Sequence, residues 1–263
     1  MNKKKKIVLK KDLKSEINDW KFKMIGVLGR GGQACVVKAR RNTDNEHFAL
    51  KMTERSFFST KNADLNARRW RQTKLELQIM FELDSPYVIK FVEFINTEKD
   101  HFVCVQELSN GGNLKEMLKR MGGKLPETCA KKVLIQIING FNYLYESKVI
   151  HRDCKLENLL IHFPARDSSK DIPWKEIDMD VEPFIIKIAD FGYSRFLEQD
   201  DELEGWYGTP LLMAPEALFG QKYGHKRDVW ALGAMYFQLI TGKYIFGHDK
   251  CTLKHLKEKV NEG

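Results

Sequence analysis

The sequence predicts an α+β chain of two lobes, a small β-rich one followed by a larger, mainly helical one. Three observations carry this. Between Phe22 and Val105 the apolar residues fall in short strand-like runs with a single helix-like interruption. After Asn110-Gly111-Gly112-Asn113 the runs lengthen and take helical spacing. The composition of the 263 residues, 43% hydrophobic and 30% charged with 18 glycines and 7 prolines, is that of a globular protein with room for one large domain or two small lobes. The expected division is a basic tail at residues 1–21, a first lobe at 22–108 and a second at 109–263.

The tail comes first. Nine lysines between Met1 and Lys23 face only Asp12, Glu16 and Asp19, so most of the chain's net charge of +8 lies there and the remainder is nearly neutral. A charge confined to one end is poor support for a nucleic-acid partner, and none is expected. The tail reads as a solvated segment, or as a localisation signal or a contact for anionic surfaces. Ile7–Leu9 is too short for a secretory signal, and Val133–Ile138 and Ala231–Ile240 are too short or too interrupted to cross a bilayer. Five cysteines without a CxxC pair read as free thiols in a reducing compartment, which predicts a cytoplasmic protein and leaves the nucleus open.

In the first lobe, strands are expected at Met24–Leu28, Ala34–Ala39, His47–Met52, Val88–Phe94 and Phe102–Gln106. The interruption, Ala63–Leu83, sets Leu75, Ile79 and Leu83 four residues apart, an apolar stripe that should pack on the sheet. In the second lobe, helices are expected at Leu114–Arg120, at Cys129–Tyr145 after Pro126, at Asp228–Thr241 and at His248–Asn261. The stretch from Leu160 to Phe184, with Pro164, Pro173 and Pro183, reads as a long surface loop between two short strands. Asp178, Asp180 and Glu182 lack the glycine and spacing of a calcium loop and read as solvated.

Three segments carry chemistry. Gly29-Arg30-Gly31-Gly32-Gln33-Ala34-Cys35-Val36 fits a glycine-rich hairpin whose backbone can approach phosphate without Cβ obstruction. Alone it is equally a plain turn. Lys51 follows Val36 by 15 residues, which places it on the next-but-one strand of the same sheet, within reach of phosphates under the loop. His151-Arg152-Asp153-Cys154-Lys155-Leu156-Glu157-Asn158 sets two oxygen ligands on one short loop with a cation between them, and Asp190-Phe191-Gly192 adds a carboxylate after the apolar run Phe184–Ala189. Phosphoryl transfer from a nucleotide needs this set: hard oxygen ligands for Mg²⁺, cations for the triphosphate, and a carboxylate to orient the attacking hydroxyl.

Taken in order, these segments with Ala214-Pro215-Glu216 resemble the eukaryotic protein kinases, over Gly29 to about Phe246. The resemblance implies a bilobal protein kinase-like fold, a serine/threonine protein kinase activity, and ATP and Mg²⁺ as cofactors. It implies that Lys51 binds the α/β-phosphates and pairs with Glu76, with Glu82 as the rival. Asp153 becomes the catalytic base, Lys155 the cation on the transferring phosphoryl, Asn158 and Asp190 the Mg²⁺ ligands, and Thr209 the residue bonded to the catalytic loop. Leu28, Gly29, Gly31, Val36, Ala49 and Leu160 are implied around the nucleotide, with hinge contacts from Glu107 and Ser109 and Gln106 as gatekeeper. Lys155 and Thr209 point to serine/threonine specificity. The gap from Lys51 to Glu76 implies an extended loop at Thr53–Leu65. His151 reads as a core histidine under Phe191.

Residues 190–197, the insert before them and Ala34 in place of the third loop glycine look most like the autophagy-initiating kinases. There a phosphorylatable threonine is usual where this chain has Gly205. The acidic run Glu198–Glu204 is expected either to stand in for a phosphate by pairing with Arg152 or with Arg68, Arg69 and Arg71, or to be a solvated loop. Only seventeen residues follow Phe246, whereas the resemblance implies further helices and an arginine for Glu216. That predicts a fragment or a marginal lobe, with a buried, unpaired Glu216 at a cost of about 3–5 kcal/mol. A protein substrate and regulatory proteins are the implied partners. The rival reading is a kinase-fold scaffold that binds nucleotide or a partner without catalysis, against which the intact Lys51, Asp153, Asn158 and Asp190 argue.

Overall fold

The computed structural model describes residues 21–31, 34–97 and 101–262. Expectations for the tail, and for Gly32 and Gln33 in the glycine loop, lie outside the described residues. The α+β architecture expected is the one that forms, and the chain divides into two compact units. Of the described residues, the first holds those up to Trp70 and those within Phe91–Leu108; the second holds Arg71–Lys90 and those from Ser109 onward.

The first unit is built on five antiparallel strands: β1 (Phe22–Arg30), β2 (Cys35–Arg41), β3 (His47–Glu54), β4 (Phe91–Asn96) and β5 (His101–Glu107), in the order β1-β2-β3-β5-β4. Register places Val37 opposite Leu50, and Leu50 opposite Val105, so the apolar alternation of each strand falls on one face. Phe22, Val37, Ala39, Phe48, Leu50, Met52, Val103 and Val105 close into a buried cluster there. Lys51 lies directly opposite Val36, on the neighbouring strand and not the next but one. The 15-residue gap is taken up by the rest of β2, the turn Asn42–Glu46 and the start of β3.

The segment expected as a loop after Thr53 is partly ordered as a 3₁₀ turn, Arg55–Phe58. Its Phe58 is buried, stacked 4.4 Å from Trp70 and edge-on 5.3 Å from Phe102. Three aromatics distant in sequence thus form a second, smaller core. Arg69 caps it by donating from Nη1 to the Phe57 carbonyl (2.6 Å) with its guanidinium over the Phe57 ring.

Helix α1 runs Ala63–Glu82, and the chain after it joins the second unit. The expected strand at Val88 therefore begins only at Phe91. Val88 and Ile89 instead zip onto β8 (Ile185–Ile188), with Ile89 N–H donating to Ile188 (2.9 Å) and Ile188 N–H to Tyr87 (2.8 Å).

In the second unit, α2 (Leu114–Arg120) starts at Asn113, whose Oδ1 accepts from the Glu116 N–H at 3.0 Å. Helix α3 (Glu127–Glu146) follows Pro126 and buries Cys129, Ala130, Val133, Ile137, Phe141 and Leu144 along one stripe. Strands β6 (Val149–Ile150) and β7 (Leu159–His162) flank the loop that carries Asp153; β7 pairs with β8, and β6 with β9 (Arg195–Phe196). Helices α4 (Pro215–Leu218), α5 (Lys226–Thr241) and α6 (Leu253–Glu262) follow, the last starting five residues later than expected.

The insert between β7 and β8 is the surface loop expected, most of it exposed, but it is anchored at a few points. Phe163 is fully buried edge-on to Trp174 (5.7 Å), Arg120 lies over the Trp174 ring, and Asn110 donates to the carbonyls of Phe163 and Arg166. Glu182 accepts twice from Arg166, and Asp180 takes Lys132 and Thr128. Asp178 and Asp180 are exposed, as expected, whereas Glu182 is part-buried against Arg166. Glu216 is not the buried residue expected: it is part-exposed.

Candidate active site

The residues expected around Asp153 come together within the second unit. Asp153 is 4% exposed, and donors meet both of its carboxylate oxygens. Thr209 Oγ1 donates to Oδ1 at 2.9 Å. Lys155 Nζ donates to Oδ2 at 2.6 Å, and Asn158 Nδ2 reaches the same oxygen at 3.2 Å and the Asp153 carbonyl at 2.9 Å. Charge-assisted bonds of this kind hold an ionised carboxylate in one orientation. Three of the residues singled out from the sequence, forming a set with Asp153, therefore converge on one carboxylate.

The loop beneath is fixed by Asp228 at the start of α5. Its Oδ2 accepts from the His151 N–H (2.7 Å) and its Oδ1 from the Arg152 N–H (3.1 Å). Cys154, beside it, is deeply buried; that burial, followed by the Asp228 charge, pushes its thiol well above the ordinary range. It is a packing and hydrogen-bonding residue and no nucleophile. His151 is fully buried, 5.3 Å from the Phe191 ring, donates from Nε2 to the Ala189 carbonyl (3.2 Å) and accepts at Nδ1 from the Asp153 N–H (3.3 Å). It is a core histidine, as expected.

Asp190 lies two residues beyond the end of β8 and is exposed, at φ +66°. That left-handed backbone is rare for a non-glycine residue and turns the carboxylate away from the line of the strand. The Ala189 N–H donates to the Asn158 carbonyl at 2.9 Å, which sets the two candidate Mg²⁺ ligands on adjacent backbone. With its amide nitrogen committed to Asp153, Asn158 offers its oxygen to a ligand. Among the described residues there is no cage of three or more His, Cys, Asp or Glu side chains. One carboxylate and one amide oxygen fit Mg²⁺, which retains waters and takes substrate phosphates as further ligands. The would-be Cβ of Gly192 lies 3.3 Å from Asp190 Oδ1 and 3.7 Å from Glu76 Oε2, so Glu76 reaches the same turn.

In the first unit, Gly31 N–H donates to the Ala34 carbonyl (2.9 Å), closing the glycine hairpin across β1 and β2. Leu28 is exposed, Gly29 and Val36 are half-buried and Ala49 is buried next to Lys51 on β3. Gln106 is buried, its amide 3.6 Å from Cys104 Sγ, and Glu107 pairs with Phe48 at the end of β5. In the second unit, Ser109 carries a buried hydroxyl without a hydrogen bond, and Leu160 on β7 bridges to Asn113.

Sequence reasoning passed over the residues around the Arg152 guanidinium. The acidic run does not reach it; Glu198 pairs with Lys148 at 2.7 Å and the other acids of the run are exposed. Arg152 instead donates from Nε to the Tyr193 carbonyl (2.7 Å) and from Nη1 to the Tyr223 hydroxyl (3.2 Å), with the Tyr207 ring centroid 4.3 Å from its Cζ. Neutral partners have no charge pattern to betray them.

The protein kinase domain family matches residues 22–262. Serine/threonine-protein kinase ATG1a of Arabidopsis thaliana is 36% identical over 229 residues, covering 87% of this chain and 33% of that protein. Serine/threonine-protein kinase SIK1 of Mus musculus is 31% identical over 237 residues, covering 90% of this chain and 27% of that protein. The chain thus spans about a third of the length of these relatives. No helix among the described residues is long and apolar enough to cross a membrane.

Proposed function

The chain belongs to the protein kinase family, and we propose that it is an active serine/threonine kinase, transferring the γ-phosphoryl group of Mg²⁺–ATP to a protein hydroxyl. The observation that carries this is the Asp153 carboxylate, held at both oxygens by Thr209, Lys155 and Asn158. Asp153 orients the substrate hydroxyl and takes its proton. Lys155, 2.6 Å away, is the cation that stabilises charge on the transferring group. Asn158 and Asp190 hold Mg²⁺, which when bound neutralises the triphosphate. Lys51, with Glu76 as its partner, serves the α/β-phosphates, and Leu28, Gly29, Gly31, Val36, Ala49, Glu107, Ser109 and Leu160 serve the rest of the nucleotide. Free thiols and the match to ATG1a support a cytoplasmic kinase of autophagy-like type acting on protein substrates.

The test is transfer of radiolabelled phosphate from ATP to a generic protein substrate. Asp153→Asn is expected to lower the rate by about 10²–10⁴, the usual worth of a general base. Equal background in wild type and Asp153→Asn would leave the scaffold reading in its place.

A further inference from the structure

The Arg152 guanidinium is 4% exposed, and among the described residues no carboxylate bonds it. A buried cation needs compensation, and what it has here comes from tyrosines: the Tyr193 carbonyl, the Tyr223 hydroxyl and the face of Tyr207, which together leave Nη2 buried without a hydrogen bond. Tyr207 is the one of the three whose own position holds the segment that ends in Thr209. Its carbonyl accepts from Arg227 Nη2, which also donates to the Arg152 carbonyl at 2.9 Å. Two glycines make room for the fit. At Gly208 (φ +92°) a Cβ would collide with the Arg152 carbonyl. At Gly205 (φ +107°) a Cβ would stand 2.6 Å from Tyr207 Cε2. The Tyr207 ring thus fills the space that any side chain at 205, phosphorylated or not, would need.

We infer that Tyr207 is a positioning residue for Asp153: its ring docks residues 193–209 on Arg152, and this docking needs no phosphate on the segment. Arg152 precedes Asp153 and sits at φ +69°, so seating its guanidinium fixes the peptide that presents the base. Tyr193 is tied in alongside, its ring 5.9 Å from Tyr207 and its neighbour Gly192 accepting at its carbonyl from Gln72 Nε2. The inference deepens the kinase reading and rests on it for its catalytic consequence, while the docking itself does not.

The experiment compares amide exchange over residues 193–209 and steady-state phosphate transfer in the phosphatase-treated full chain, as wild type, Tyr207→Phe, Tyr207→Leu and Tyr207→Met. Phosphatase treatment should leave the wild type unchanged. Phe keeps the ring and should match it. Leu and Met should raise exchange at 193–209 about tenfold and lower kcat about tenfold, with KM for ATP within about twofold and β8 exchange unmoved. Wild-type exchange in the Leu and Met variants would overturn the inference. So would a Phe variant as impaired as Leu, a loosening that spreads through β8, or a wild type loosened by phosphatase. A wild type that transfers no phosphate would sink the kinase reading, and the exchange series would still decide the docking.

Discussion

The loop that carries Asp153 and the segment that carries Tyr207 meet at Thr209 and Arg152, yet they are held by different physics. In the loop, charge answers charge or a charged group answers a backbone donor: Lys155 to Asp153, Asp228 to two N–H groups. Such bonds are short, directional and worth about 1.5–3 kcal/mol each. In the segment, the anchors are a ring face, carbonyls and glycines, while the acidic side chains are exposed. A carboxylate that must aim at one atom is served by the first kind of bonding. The segment is held by the second, in which the fit of a ring and of two glycines against a buried guanidinium replaces paired charge.

The contrast breaks most readily at Asp228. Asp228→Ala leaves the N–H groups of His151 and Arg152 buried with no acceptor, at about 1–3 kcal/mol each. The midpoint of thermal unfolding, followed by circular dichroism, should fall by about 10 °C and transfer activity should vanish. A loss of under about 2 °C would mean that the loop is no more tightly held than the segment. Thr209→Val acts where the two regions join. It removes the 2.9 Å bond to Asp153 Oδ1 and should cost about 0.5–1.5 kcal/mol of stability. The larger effect is on turnover: kcat should fall about tenfold with KM for ATP unchanged, and Thr209→Ser should restore it.

What could be read beforehand follows the same division. The strands and helices were legible because an amphipathic period repeats over several residues: Leu114–Arg120 forms as expected, and α3 and α5 lie within two residues of expectation at each end. The Asp153 loop was legible because particular residue types recur there at the fixed spacing of a family motif. The Phe58–Trp70–Phe102 cluster was not, since its members are scattered and each alone resembles any core aromatic. The contacts that anchor the insert were hidden for a related reason. Its acidic residues look solvated in sequence, and only the fold brings Arg166 and Lys132 to Glu182 and Asp180. Tyr207 was hidden by expecting a charge opposite Arg152, when a desolvated guanidinium can be met by a π face.

The smallest effect expected is at the acidic run, and it is the sharpest test of the comparison because sequence left room for the opposite. Asp200, Asp201, Glu202 and Glu204 are exposed, and the backbone around them is held by the Leu203–Tyr223 bridge, with N–H to carbonyl distances of 2.8 and 3.0 Å in the two directions. That bridge does not depend on the acids. The Lys148–Glu198 pair beside it is a surface pair, worth about 0–1 kcal/mol and screened by salt. Replacing the four acids together with Asn and Gln should therefore shift the unfolding midpoint by no more than about 2 °C. It should leave kcat within about twofold at both low and high salt. A tenfold fall in kcat that salt reproduces in the wild type would show that long-range charge seats Arg152, and the segment would then belong with the loop as a structure held by ions.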